Sequence, residues 1–104
     1  GAGLKLQELK PSRESEAGID VLVVRGQILN VTEGDRPVPM IRVALLDADG
    51  NVVQQVIVPP IKNQLKGGDV IGFKARIKNP QPLARRLDVT FVAAEDDGTK
   101  KKAH

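Results

Sequence analysis

Ile19-Asp20-Val21-Leu22-Val23-Val24-Arg25-Gly26-Gln27-Ile28-Leu29-Asn30-Val31 is rich in β-branched residues, with apolar side chains at odd and even positions alike. Successive side chains on a strand point to opposite faces, so a strand with one wet face alternates apolar and polar residues. This run does not alternate and has no proline. It is therefore expected between two neighbouring strands, with much of both faces covered. Met40 to Leu46 (Met-Ile-Arg-Val-Ala-Leu-Leu) has the same character apart from Arg42 and forms a second interior candidate.

Upstream, Leu4 to Leu9 alternates and then meets Pro11, which reads as an edge strand. Pro11 to Gly18 is polar and reads as an exposed connection. Downstream, Thr32-Glu33-Gly34-Asp35-Arg36 is a turn cluster closing on Pro37 and Pro39. Asp47-Ala48-Asp49-Gly50-Asn51 is the clearest hairpin signal, because Asp49-Gly50 supplies the positive φ a tight turn needs between two apolar runs. Val52 to Val58 returns and stops at Pro59-Pro60. Leu65-Lys66-Gly67-Gly68-Asp69 turns the chain into the next strand.

From Val70 to Lys78 the alternation is sharp, with Ile71, Phe73, Ala75 and Ile77 on one face and Gly72, Lys74, Arg76 and Lys78 on the other. Arg86 to Ala93 repeats it, with Leu87, Val89, Phe91 and Ala93 inward. Strands at intervals of roughly ten residues, with no helical period, predict an all-β domain. The expected architecture is an antiparallel immunoglobulin-like β-sandwich of about six or seven strands, without substantial helix and with both phenylalanines inside. Its bounds are residues 4–93. Residues 1–3 read as linker or non-native sequence, and residues 94–104 as a charged tail too poor in apolar residues to order itself.

Composition narrows the chemistry. A chain of 104 residues without cysteine must rely on one apolar core and has no thiol for catalysis or metal binding. The net charge of +3 comes largely from Lys100-Lys101-Lys102, so it is weak support for nucleic acid as a partner. No apolar run approaches the roughly 20 residues that span a bilayer, and no signal peptide is visible. The single histidine is His104, at the extreme end. The carboxylates fall mostly in turns and tails. We expect no enzyme, no cofactor and no metal. Asp47, Asp49 and Asn51 imitate the opening of a calcium loop, but its twelfth position falls on Val58, which cannot ligate.

The order of these features carries a resemblance. Gly26-Gln27-Ile28-Leu29-Asn30 gives G-x-I-x-N at a strand end. Pro37 to Met40 leads into Ile41–Asp47 and the Asp-Gly hairpin, then Pro59-Pro60 and Leu65–Asp69. Phe73–Ile77, Asn79-Pro80, Ala84-Arg85-Arg86 and Val89-Thr90-Phe91 follow. This succession, over Leu4 to Ala93, resembles the uncharacterised C-terminal domain of bacterial proteins that begin with a zinc ribbon and one transmembrane helix. More distantly, it is similar to immunoglobulin-like FxLYD-type envelope domains. The resemblance implies a β-sandwich in the cell envelope, on the extracytoplasmic side of the inner membrane. The anchor would lie outside the given sequence. It implies no activity, and without paired cysteines no zinc role carries over.

The candidate partner-binding set is Lys74, Arg76 and Lys78 with Arg85 and Arg86, read as one basic face suited to phosphates, lipid headgroups or an acidic partner. A solvated face whose charges discourage edge-to-edge pairing is the plainer reading. Gly26, Asn30, Asp49, Gly50, Gly67, Gly68, Phe73 and Phe91 are read as structural. Gly26 permits close packing or a bulge, and Asn30 ties its amide to the following loop. The expected function is a non-catalytic module for protein interaction or structural support. The alternative is a small nucleic-acid-binding β-barrel using the basic face. Both aromatic rings point inward, so that alternative lacks the exposed stacking surfaces single-strand binders use.

Overall fold

A computed structural model describes residues 3–92 of the chain. Ala93, the tail from residue 94 onward and residues 1–2 of the expected linker lie outside the described residues. Eight strands run in order among those described: β1 Leu4–Glu16, β2 Ile19–Asn30, β3 Arg36–Pro37, β4 Ile41–Leu46, β5 Val52–Val58, β6 Gln64–Leu65, β7 Val70–Lys78 and β8 Arg86–Phe91. One sheet has the order β1-β2-β7, a second has β5-β4-β8, and β3 pairs with β6 in a short ribbon. All pairings are antiparallel. No ladder joins the two larger sheets, so the molecule is an all-β sandwich and not a closed barrel.

The two runs with apolar residues at both parities, β2 and β4, are the central strands of their sheets. Val24 and Ile28 of β2 face Ile41, Val43 and Leu45 of β4 across a core completed by Ile71, Phe73, Ala75 and Ile77. Strand β7 alternates without fault between exposed and buried positions. Phe73 pairs across from Gly26. A Cβ at Gly26 would lie 2.6 Å from the Phe73 ring and 2.7 Å from Leu9 Cδ2, so the ring and Leu9 occupy the space a side chain would take. Phe91 packs against the same core but is only half-buried, because β8 borders its sheet and no strand of the described residues lies beyond it.

Two valines of β2 are buried outside this core. Val21 and Val23 are 1% and 0% exposed although their parity directs them to the outer face of the first sheet. The register sets Val21 between Glu14 and Lys78, and Val23 between Ser12 and Arg76. The aliphatic stems of long charged neighbours cover apolar surface in this way while their heads stay wet.

The exposed connection expected over Pro11–Gly18 is not present. Strand β1 continues through Pro11 to Glu16, paired with β2 as far as Ile19. As an edge strand it needs only one ladder, so a residue without an N–H is tolerated. Only Ala17 and Gly18 turn the chain, with φ of 52° and 80°, the backbone of a two-residue type I′ hairpin. A bulge between Gln7 and Lys10, with Glu8 at φ 54°, bends the same strand earlier.

Candidate functional site

Lys74, Arg76 and Lys78 share the outer, exposed parity of β7. Across β2 they meet a run of carboxylates that the polar half of β1 contributes. Arg25 Nη1 lies 3.1 Å from Glu14 Oε2, and Arg76 Nε lies 3.1 Å from Glu16 Oε2. The Arg25 hydrogen bond, with Lys74 adding at longer range, holds the Glu14 carboxyl below the usual carboxylate range. These pairs are open to solvent, so each contributes little to stability. Their effect is on the surface itself, since Arg76 is matched by an acid while Lys74 and Lys78 form no ion pair among the described residues. One row across the sheet, Lys10–Arg25–Lys74, sets three cations side by side.

Arg85 and Arg86 belong to the other sheet. Arg85 precedes β8, and its N–H donates to Leu46 O at 2.7 Å. Its guanidinium Nη1 donates to Pro82 O at 2.9 Å and Ala84 O at 3.0 Å. Arg86 opens β8 on its exposed parity, with Nε 4.0 Å from Asp88 Oδ1. The five basic residues grouped in the sequence thus fall into two sets on different sheets. The second set gains a member that the sequence does not suggest, Arg13 of β1. Arg13, Arg85 and Arg86 border a cleft of about 170 Å³ whose floor includes Leu22, Leu45 and Leu87. Separation hides it, because the rim comes from opposite ends of the chain and meets only when the sheets stack.

The remaining positions singled out in the sequence are tied largely to backbone. Asn30 is fully buried. Its Nδ2 donates to Gly34 O at 2.9 Å and Leu65 O at 2.8 Å, while Oδ1 accepts from the Thr32 N–H at 2.9 Å and the Thr32 hydroxyl at 2.7 Å. Gly67 lies against this loop so closely that a Cβ would be 2.5 Å from the Glu33 carbonyl, and Gly68 follows at φ 82°. Asp47 Oδ1 accepts from the N–H groups of Asp49 and Asn51, both at 2.9 Å, and Gly50 turns at φ 85°. Those donors, Asn51 foremost, hold the Asp47 carboxyl below its ordinary range. The acids that imitate a calcium loop therefore spend their leading carboxylate on closing a hairpin.

No family model matches the chain, and no curated protein matches it. Among solved structures, the crystal structure of a DUF1425 family member from Shewanella sp. pv-4 is similar, with a TM-score of 0.52 and 19% identity. The match covers 88% of this chain and 78% of that one. The likeness is one of fold. It sets this sandwich beside an uncharacterised bacterial domain and assigns no residue a role.

Proposed function

We propose that this chain is a non-catalytic β-sandwich module that binds another protein or peptide at the cell envelope. In this reading it is carried on the extracytoplasmic side of the inner membrane by an anchor outside the given sequence. The observation that carries the binding role is the edge of β1. Over Leu4–Glu16 it pairs with β2 on one side and with no strand of the described residues on the other. A row of main-chain donors and acceptors is thereby open to an extended peptide, which can join the sheet as an added strand. Lys74, Arg76 and Lys78 offer a second contact surface for an acidic partner. The envelope location is supported by the resemblance to domains that follow a zinc ribbon and a membrane helix.

Titration of the isotope-labelled chain with cell-envelope extract tests the binding role. Shifts concentrated on Leu4–Leu9 or Lys74–Arg86 are expected, and shifts spread evenly or absent would overturn it. Sequencing the complete gene tests the location, since a cysteine-paired ribbon and an apolar helix upstream are expected and their absence would remove its support. Nucleic acid would have only the cations to hold, because Phe73 is buried and Phe91 half-buried. Oligonucleotide affinity should therefore collapse between low and physiological salt.

A further inference from the structure

We propose that the open side of the sandwich is a docking cleft for an extended acidic segment of a partner protein. This rests on the interaction-module reading above and adds the place and the partner's chemistry.

The two sides of the sandwich are built differently. On the side where β5 meets β7, Gln54 stitches the sheets together. Its Nε2 donates to Lys78 O at 3.1 Å and its Oε1 accepts from the Gln81 N–H at 2.8 Å. The cleft lies on the opposite side, between β1 and β8, each of which borders its sheet. Arg13 pairs across from Leu22, so its side chain leaves the strand on the inner, core-facing parity. An inward charge on a bordering strand also deters edge-to-edge pairing, which would account for Arg13 alone. It does not account for the arrival of Arg85 at the same rim.

Charge and size together choose the occupant. No carboxylate of the described residues lines the cleft, and Asp88 reaches only Arg86, at 4.0 Å. Arg85 is held through one nitrogen by two carbonyls, so its guanidinium is fixed before any ligand arrives. Two cations, Arg13 and Arg85, beside a leucine floor complement an anion attached to something apolar, while Arg86 turns its charge to the outer face. At about 170 Å³, the cleft is smaller than the roughly 300–1,000 Å³ of small-molecule sites. It suits one anchoring side chain. A peptide strand with acids flanking an apolar residue fits, with the β1 or β8 edge supplying main-chain partners.

The test titrates the labelled chain with a blocked heptapeptide, Asp-Leu-Asp-Val-Asp-Leu-Glu, and with its counterpart carrying lysine at every acidic position. The acidic peptide should shift the amides of Arg13, Leu22, Leu45, Arg86 and Leu87. The double variant Arg13→Glu/Arg85→Glu, altered at exposed positions and checked by its melting curve, should bind it about tenfold more weakly. The same variant should gain affinity for the lysine peptide. Lys62→Glu/Lys66→Glu, exposed and away from both surfaces, should leave acidic-peptide binding unchanged. Shifts confined to the outer face of β7, or loss of binding in that second variant, would overturn the cleft while leaving the interaction module standing. Equal binding of the lysine peptide, or stronger binding of a single-stranded oligonucleotide at the cleft residues in physiological salt, would overturn the acidic-protein chemistry. Saturable binding of neither peptide would overturn the inference. The broader reading falls only if the envelope-extract titration is silent as well.

Discussion

Asn30 shows how one side chain can hold several loops. Its amide uses both hydrogens and its oxygen on the Thr32–Gly34 turn and on Leu65 of β6, and no described buried side-chain polar atom is left without a partner. Asn30→Ala would strand Leu65 O and the Thr32 N–H where water has little access. Each orphaned group costs about 1–3 kcal/mol, so a loss of about 3 kcal/mol is expected, read as a lower urea midpoint at unchanged slope. Asn30→Asp should be worse, because a carboxylate has no hydrogen to offer Gly34 O and Leu65 O and is repelled by both. The tie from Asn30 to its following loop is legible in the sequence as an asparagine at a strand end. The reach to Leu65 is not, because 35 residues separate them and only the folded ribbon brings them together.

Strand β1 is where local pattern and final structure part. Strand β7 announces itself through strict alternation, and β2 and β4 through apolar residues at both parities. Ser12, Glu14, Ser15 and Glu16 carry no such signal. They are extended because β2 offers an open ladder and because Arg25 and Arg76 receive the two glutamates. The turn that returns them is equally quiet, since Ala17 occupies a left-handed position usually taken by asparagine, aspartate or glycine. An alanine there is strained. Ala17→Asn should relieve part of the strain and add about 0.5–1 kcal/mol, a rise of a few degrees in thermal midpoint by calorimetry. An unchanged midpoint would mean that the hairpin is held by its ladder and gains nothing from its turn.

At the scale of the molecule, two carboxylates couple the fold to acid. Glu14 on one sheet and Asp47 on the other both titrate below their ordinary range when folded. A depressed pKa means that the unfolded chain binds protons first, so this stabilisation is present above the unfolded value of about 4 and is lost as pH falls through the folded value. The thermal midpoint should therefore hold steady from neutral pH to about 5 and decline below about 4. Glu14→Gln and Asp47→Asn should each flatten that decline, and added salt should mimic only the first, because the Glu14 pair is a screened surface contact. The two-layer architecture is legible from strand spacing and face patterns. The cleft is not, since Arg13 lies far along the chain from Arg85 and Arg86 and only the stacking order of the strands makes them neighbours. That stacking order has a mechanical consequence. With Gln54 joining the sheets as a spine on one side and no side-chain hydrogen bond joining β1 to β8 among the described residues, the β1/β8 margin is where the two leaves are expected to part first, like the pages of a book. Deuterium should then enter first at the amides of β8 and the outer half of β1, and last at β2, β4 and the spine.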